Sequence, residues 1–302
     1  MIKIRDLEYL DAIAKYRHFS KAAKACCVSQ PTLSGQIIKV EEQLDLQLIE
    51  RHRRNVMLTA AGEELVKQAR RVLVAANDFE ESAKALLEPM AGDLHIGLIP
   101  TVAPYLLPYI MEDLNKQLPK INFYLYENKT NVLLNKLNQG MLDFVILPWL
   151  ENMADFERYQ LFDEPLTLAV YPEHPLSKKS RVKLEDLNGQ RLLTLQDGHC
   201  LRDQTLGYCF SAGADEDHQF KATSIETLRY MVSTKRGITM LPELSKSYTP
   251  LNQPIKYIDF QDPKPRREIS LLVRPNYARS ECVRSIVKSI RCSIKKDFLI
   301  KQ

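Results

Sequence analysis

The residues of this 302-residue chain best suited to chemistry surround one cysteine. His199 precedes Cys200 and Arg202 follows it, and both could place positive charge beside the thiol. Asp197 is positioned to cap a helix that begins just after it, and the N-terminus of a helix favours a thiolate. Because the thiolate is the nucleophilic form of cysteine, the pattern predicts a reactive thiol. The alternative is a small, buried and inert side chain, which is the commoner role of an isolated cysteine.

Four other cysteines lack such a pattern. Cys26 and Cys27 are adjacent, and adjacent cysteines bridge only with severe strain, so we expect them to pack. Cys282 and Cys292 lie on the last predicted helix, outside its apolar stripe, and are predicted to be incidental. That stripe comprises Val283, Ile286, Val287, Ile290 and Ile294. No zinc-ligand spacing and no phosphate-loop or dinucleotide motif occurs, so the sequence predicts neither a metal nor a cofactor.

The composition is that of a globular protein with room for two domains. Hydrophobic residues make up 45% of the chain and charged residues 26%, which are ordinary proportions. No apolar run reaches the roughly 18 residues of a membrane span, and the first residues lack the apolar centre of a secretory signal. We therefore expect a cytoplasmic protein with no membrane partner, in a compartment where disulfides are transient, catalytic or sensory.

The elements before residue 45 have the spacing of a helix-turn-helix. A first helix is predicted from Leu7, Leu10, Ile13 and Ala14. Ser20 is placed to cap a second helix, Lys21 to Ala25. Ser29 is placed to cap a third helix, with Pro31 in its first turn. The third helix turns Leu33, Ile37 and Val40 inward. Its outer face presents hydroxyls and amides suited to reading base edges, on Gln30, Thr32, Ser34 and Gln36.

A small hairpin is predicted next, because Leu46 to Arg51 and Val56 to Thr59 alternate like two short strands. The hairpin would form a wing, with Arg51, Arg53 and Arg54 near its tip. The chain's net charge of +4 is too small to indicate nucleic-acid binding. A short basic run is commonly no more than a solvated surface. The arginines therefore become phosphate-binding candidates only together with the helix-turn-helix.

A long helix should follow the hairpin, from a cap at Thr59 to about Leu87, before Pro89. Its apolar stripe is Leu65, Val66, Ala69, Leu73, Ala76, Phe79, Ala83 and Leu86. An isolated helix with such a stripe needs a partner, and an antiparallel copy from a second subunit would supply one.

From Gly92 onward, predicted strands alternate with helices, which indicates an α/β domain with a parallel or mixed sheet. The strand candidates are Leu94–Ile99, Phe123–Glu127, Phe144–Leu147, Leu166–Tyr171, Leu192–Leu195, Phe220–Ala222, Ile238–Leu241 and Ile269–Val273. Capping residues for the following helices are Thr101, Thr130, Asp197 and Ser224. Helix N-termini at the carboxyl ends of strands form the usual binding crevice of open α/β sheets.

The block from Phe19 to Ala23 and from Val28 to Ser34, continuing to Gly62, resembles the LysR-type transcriptional regulators. The resemblance implies an all-α winged helix-turn-helix domain in 1–58, a dimerising linker helix in 59–91 and an effector domain in 92–302. The effector domain would consist of two Rossmann-like subdomains, as in periplasmic binding proteins. Subdomain I would comprise 92–163 and 269–302, and subdomain II 164–268.

The same resemblance implies the partners of the protein. These are double-stranded promoter DNA, RNA polymerase and further copies of the chain, in a dimer or tetramer. The residues expected at DNA are Gln30, Pro31, Thr32, Ser34, Gln36, Arg51, Arg53 and Arg54.

Within the effector domain, the stretches 196–204, 207–210 and 212–217 resemble peroxide-sensing members of that family. The resemblance implies that Cys200 reacts with hydrogen peroxide and that Cys209 resolves the product as a reversible disulfide. The protein would then activate oxidative-stress genes. Further site residues implied by the match are Thr101, Thr130, His199, Asp203 and Arg267, the last adjacent to a second candidate, Arg266.

Two alternatives remain open from the sequence. One is a regulator of the same fold that binds a small organic effector and has structural cysteines. The other is a thiol peroxidase enzyme. The chain departs from the family in one turn, where Lys235 and Arg236 stand in place of the expected small residues. The resemblance implies that this region helps to form a redox-dependent dimer contact.

Overall fold

The computed structural model describes residues 1–51, 56–248 and 254–295. The chain divides into two compact units, Met1–Leu87 and Glu88–Gln302. Each unit has a separate hydrophobic core, as expected when two domains each bury their own apolar faces.

The first unit is a helix-turn-helix followed by a hairpin and a long helix. Its elements are α1 (Ile4–Tyr16), α2 (Phe19–Ala25), α3 (Gln30–Leu44), β1 (Ile49–Arg51), β2 (Val56–Leu58) and α4 (Ala60–Leu87). Strands β1 and β2 pair antiparallel, with Ile49 opposite Leu58. The predicted helix-turn-helix, hairpin and long helix are therefore all confirmed.

The capping predictions in this unit are mostly confirmed. The Ser29 hydroxyl accepts a hydrogen bond from the Thr32 amide, with proline in the first turn of α3. The Thr59 hydroxyl accepts one from the Gly62 amide at 3.0 Å. Ser20 was wrong as a cap, because α2 begins one residue earlier, at Phe19. The Ser20 hydroxyl lies within the helix and donates to the Gln30 side chain at 2.6 Å.

Helix α4 buries only its first part. Val66 and Ala69 belong to the core of the first unit, and Arg70 pairs with Asp11 at 2.6 Å. Further along, the same apolar stripe is exposed, with Phe79 77% and Leu86 86% accessible. An amphipathic helix that exposes its apolar stripe has an unpaired face.

The second unit is an α/β domain. Its strands are β3 (Gly92–Leu98), β4 (Ile121–Glu127), β5 (Phe144–Pro148), β6 (Glu157–Val170), β7 (Arg181–Val182), β8 (Arg191–Leu195), β9 (Asp215–Ala222), β10 (Thr239–Pro242), β11 (Lys256–Phe260) and β12 (Arg266–Val273). Its α-helices are α5 (Ala103–Gln117), α6 (Thr130–Asn138), α7 (Cys200–Ser211), α8 (Ile225–Ser233) and α9 (Ser280–Ile294).

One mixed sheet of eight strands organises this domain, in the order β4-β3-β5-β12-β6-β11-β7, with β10 also on β6. Strands β3, β4 and β5 are parallel, whereas β12 is antiparallel to both β5 and β6. Strand β6 is shared by two α/β halves: its first part pairs with β12, and its last residues pair with β10 and β11. The expected mixed α/β architecture is confirmed.

Three of the four caps predicted in this domain were wrong. Val102, Lys129 and His199 are the cap residues of α5, α6 and α7. The side chains of Thr101, Thr130 and Asp197 instead contact Arg267, Cys200 and Arg202. Ser224 alone is confirmed, because its hydroxyl accepts from the Thr227 amide. The two hydroxyls therefore make contacts across the fold, whereas the Asp197 carboxylate pairs with a side chain in the first turn of α7.

Candidate functional site

Cys200 is the first residue of α7, and its side chain is buried. The Sγ atom lies 2.7 Å from the Thr130 hydroxyl, which comes from the first residue of α6. Residues 70 positions apart are thus joined where two helices begin. The sequence had proposed both residues for the site, and the structure brings them into contact.

A buried arginine lies at the other side of the site. Arg267, on β12, donates from Nη1 to the Thr101 hydroxyl at 3.1 Å and from Nη2 to the Thr101 carbonyl at 2.8 Å. Its Nε donates to Glu164 at 2.8 Å, and both side chains are almost fully buried. Arg266, the neighbouring candidate, is exposed and faces Asp163. The geometry therefore selects Arg267 for the site.

Glu164 belongs to this site, although the sequence gave no sign of it. Its second carboxylate oxygen accepts from the Leu244 amide at 3.0 Å, so the carboxylate is held between β12 and the segment after β10. Burial raises the pKa of Glu164, and the Arg267 guanidinium opposes that rise. An acidic residue before Pro165, on a strand whose first half was not predicted, offered no pattern by which it could be recognised.

The electrostatics at Cys200 differ from the sequence-based expectation. Burial raises the pKa of Cys200 above its ordinary value of 9.0, while the Thr130 hydroxyl and the Arg267 charge oppose the rise and Asp203 adds to it. Arg202 does not serve the thiol, because its guanidinium pairs with Glu216 at 3.1 Å and with Asp197 at 3.1 Å. The cation that stabilises the thiolate of Cys200 is therefore Arg267 and not Arg202.

His199 and Asp203 also fall into different environments. His199 is buried, and burial, with the nearby Lys129 charge, lowers its pKa, so the ring is neutral at pH 7. The expected positive charge from His199 is thus wrong. Asp203 is 62% exposed and lies 3.5 Å from the Arg202 guanidinium. Although Asp203 is largely exposed, its charge lies close enough to Cys200 to raise the pKa of that thiol.

Cys209 lies on the same helix as Cys200 and is also buried and free. Its Sγ contacts the Met240 sulfur at 3.4 Å, and burial raises its pKa to about 12. Nine steps along an α-helix separate two Cα atoms by about 13 Å. A disulfide requires Cα atoms about 4.4–6.8 Å apart. In this state the two thiols are therefore too far apart to bond.

The burial of the four remaining cysteines differs in part from the sequence-based prediction. Cys282 was predicted to lie outside the apolar stripe of α9, but it is buried in the domain core. Cys292 and Cys27 are exposed, and Cys26 is half-buried. The five residues predicted for the stripe itself are all buried. Cys282 lies on the buried face because it precedes Ile286 by four residues, which is about one helical turn.

The polar face predicted for α3 is only partly free. Pro31 and Thr32 are exposed and Ser34 is half-buried, whereas the Gln30 side chain accepts from Ser20. The Gln36 amide donates to Asp6 on α1 at 2.9 Å, so this side chain is committed to holding α1 against α3. Arg51 ends β1, while Arg53 and Arg54 lie outside the described residues.

The two unusual charges near α8 have partners inside the chain. Lys235 pairs with Glu173 at 2.9 Å, and Arg236 pairs with buried Asp217 at 3.2 Å and with Gln219 at 3.0 Å. Both cations are therefore neutralised locally.

A helix-turn-helix unit, an α/β domain and a buried cysteine site in that domain together define the class of the protein. Residues 4–63 match the family model for bacterial regulatory helix-turn-helix proteins of the LysR family, and residues 88–294 match that for the LysR substrate-binding domain. The chain therefore belongs to the LysR family of transcription regulators, which is regulatory rather than enzymatic.

Particular relatives narrow this class. The chain is 50% identical over 274 residues to a hydrogen peroxide-inducible genes activator of Dickeya chrysanthemi, covering 91% of this chain and 90% of the relative. It is 48% identical over 297 residues to the DNA-binding transcriptional dual regulator OxyR of Escherichia coli, covering 98% and 97%. A full-length OxyR variant from Pseudomonas aeruginosa has a TM-score of 0.77 at 34% identity, covering 96% of this chain and 98% of that one.

Across the described ranges, every helix is either too short or too polar to cross a membrane.

Proposed function

We propose that this protein is a transcription regulator that responds to hydrogen peroxide through a reversible Cys200–Cys209 disulfide and activates oxidative-stress genes. The observation that carries the proposal is the contact of the buried Cys200 thiol with the Thr130 hydroxyl at 2.7 Å, on a helix that also carries Cys209. The similarity to peroxide-inducible activators over nine-tenths of the chain supports the same function.

The reaction has two steps. The Cys200 thiolate attacks one peroxide oxygen, the O–O bond breaks, and hydroxide leaves to become water, giving a sulfenic acid. The Cys209 thiol then attacks the sulfenic sulfur, a second water leaves, and the disulfide forms. The protein loses two electrons in total and peroxide gains them. Thr130 is suited to orient the peroxide oxygen, and the Thr101–Arg267 pair is suited to stabilise the departing negative charge.

The disulfide cannot form while α7 is intact, which makes it a switch. To approach Cys209, Cys200 must leave Thr130 and the first turns of α7 must unwind. Leu201 and Leu206, now buried, would leave one packing arrangement for another. Two discrete arrangements are what a switch requires.

Peroxide titration with thiol counting tests the proposal and its rivals. We expect two thiols per chain to disappear, with mass spectrometry linking Cys200 to Cys209. Cys200→Ser should abolish the response and preserve DNA binding. Cys209→Ser should form the sulfenic acid and then over-oxidise. No thiol loss would favour a regulator with a small organic effector, and turnover far beyond one equivalent would favour a peroxidase.

We further propose that α3 reads promoter DNA in the cytoplasm, with Thr32 and Ser34 at base edges and the basic run Arg51 to Arg54 at phosphates. Arg53→Ala should weaken binding to all sequences alike and reduce the salt slope by about one. Ser34→Ala should instead change the preference between sites. Equal losses on specific and random DNA would contradict the role of Ser34.

The partners follow from the family and from α4. The exposed stripe that includes Phe79 and Leu86 supports pairing with a second copy of the chain, in a dimer or tetramer. RNA polymerase is the partner expected of an activator. Copurification with the polymerase holoenzyme on promoter DNA would test that contact.

A further inference from the structure

Lys129 connects the start of α6 to the segment that leads into α7. Its Nζ donates to the Asp197 carbonyl at 3.0 Å. Its aliphatic part lies against Gly198, where a Cβ would stand 3.3 Å from the Lys129 Cδ. The next residue, Thr130, contacts Cys200. Two consecutive side chains at the start of α6, the cap Lys129 and the first helical residue Thr130, therefore contact the two ends of the segment 197–200.

We propose that Lys129 is a positioning residue for the reaction at Cys200, which keeps the segment 197–199 against α6 and so keeps the thiol in its buried pocket. The inference rests on the proposed function and adds to it a residue that neither the motif around Cys200 nor the fold assigns. Lys129 contacts no reacting atom, so it acts through the backbone of Asp197 and Gly198.

The reach and chemistry of lysine suit this role. The Asp197 carbonyl belongs to the connection between β8 and α7, and a charged donor makes a stronger hydrogen bond than a neutral one. Gly198 has φ +88°, a conformation that only glycine adopts readily, and its lack of a side chain lets the lysine stem lie across it. Burial is the main cause of the lowered pKa of His199, and the nearby charge of Lys129 lowers it further.

The contact favours the dithiol state. Disulfide formation must carry Cys200 several ångströms away from Thr130, and the segment 197–199 is covalently attached to it. The Lys129–Asp197 hydrogen bond is therefore made in the dithiol state and lost, or remade elsewhere, in the disulfide state. A contact made in only one of two states shifts the equilibrium toward that state.

Three variants separate this role from a general effect. Lys129→Met removes the donor and retains the stem, and the backbone of residue 129, which caps α6, is unchanged. Lys129→Arg retains a cationic donor. Lys136→Met is the matched control, because Lys136 lies on α6 and its ammonium group faces the Tyr126 ring at 5.6 Å.

The first measurement needs no peroxide: the rate at which the uncharged reagent iodoacetamide alkylates Cys200 in the reduced protein, followed by peptide mass spectrometry. We expect Lys129→Met to raise the rate about fivefold, the effect of losing one hydrogen bond of average strength. Lys129→Arg should restore it to near the wild-type rate, and Lys136→Met should leave it unchanged. Loss of a nearby cation alone could only disfavour the thiolate and slow alkylation, so an increase reports access.

The second measurement is the thiol–disulfide equilibrium of Cys200 and Cys209 in dithiothreitol buffers. We expect Lys129→Met to shift it toward the disulfide by a similar factor. A wild-type protein that forms no such disulfide would overturn the proposed function and this role with it. A normal wild-type disulfide, together with unchanged alkylation and equilibrium in Lys129→Met, would overturn the role of Lys129 alone. Equal effects in Lys136→Met would overturn it as well.

Discussion

At the scale of the residue, the site combines a thiol that burial disfavours as a thiolate with two groups that oppose the burial effect. The Thr130 hydroxyl contacts the Cys200 sulfur, and Arg267 supplies positive charge from β12. The arginine is held in place by Glu164 and by Thr101. The thiol therefore depends on four side chains that are distant from it in sequence, which come from α6, β12, β6 and the turn before α5.

The raised pKa of Cys200 predicts the pH dependence of its oxidation. Because only the thiolate attacks and the pKa lies above 9.0, the rate should rise about tenfold for each pH unit below pH 9. Thr130→Val retains the shape and removes the hydroxyl, so its rate should be lower at every pH with the same slope. Stopped-flow measurement between pH 6 and 9 would check this. A rate independent of pH between 6 and 8 would mean that the thiol is already ionised.

Glu164→Gln tests the buried ion pair. The substitution leaves the Arg267 charge without its carboxylate in a fully buried place, so we expect a loss of about 3–5 kcal/mol in the free energy of unfolding. Urea denaturation measures it. Glu173→Gln, which removes the exposed pair with Lys235, is the control and should cost less than about 1 kcal/mol. A similar small loss in both variants would show that Arg267 finds another partner.

At the scale of the element, hydrogen bonds from Arg202 hold the first turn of α7 against the strand next to it. Arg202 reaches Glu216 on β9 through two hydrogen bonds, and Glu216 also accepts from Thr194 on β8. Within the same helix, Gln204 and Thr205 each bury a side-chain oxygen that has no hydrogen-bond partner among the described residues. Unpartnered buried oxygens weaken the packed form, so α7 is held firmly at one turn and poorly at the next.

Hydrogen exchange should detect the predicted unwinding. In the reduced protein, amides of α7 should be protected, because the helix bonds are intact. After peroxide, amides between Cys200 and Cys209 should exchange at least about tenfold faster, as expected when local structure opens. The Cys200→Ser protein, treated in the same way, should remain unchanged. Protection retained in a protein that mass spectrometry finds disulfide-linked would contradict the requirement for unwinding.

Elements with strong local patterns could be predicted from the sequence. The cap at Ser29, the stripe of α9 and the hairpin at 49–58 depend on near neighbours, and the structure has all of them. The sequence did not predict three strand segments. Strand β7 has only two residues, β11 alternates with polar residues, and the first half of β6 is charged, so each gives a weak strand signal. Local patterns could not predict the partners of Thr101 and Thr130, which lie 166 and 70 residues away. Only the family resemblance placed these residues in one site.

At the scale of the whole molecule, the two units contain different features: the first has an exposed apolar helix face and the second has the candidate site. The first unit exposes the outer end of the α4 stripe, including Phe79 and Leu86. The second unit contains the site and joins its halves through β6 and β12. Arg267 lies on β12, which pairs with β6, the strand that both halves share, and its charge acts on the Cys200 thiol.

Phe79→Glu tests the pairing of α4 with a second chain. A charge in the middle of a buried helix interface should weaken association by at least about tenfold, since an unpaired buried charge is costly. Sedimentation velocity over a range of concentrations would measure it. Glu80→Gln, on the adjacent polar position, is the control and should associate like the wild type. Unchanged association of Phe79→Glu would place the interface elsewhere.

The position of β12 in the sheet has a consequence for synthesis of the protein. Strand β12 lies between β5 and β6, yet it is the last of the described strands to leave the ribosome. Until it emerges, β5 and β6 lack the strand that pairs with both of them, and unpaired backbone edges are prone to aggregate. A nascent chain therefore cannot complete its sheet or bring Arg267 to Thr101 until residues 266–273 have been synthesised. Premature termination before residue 266 should yield chains that depend on chaperones or are degraded, rather than a shortened regulator that still binds DNA but no longer senses.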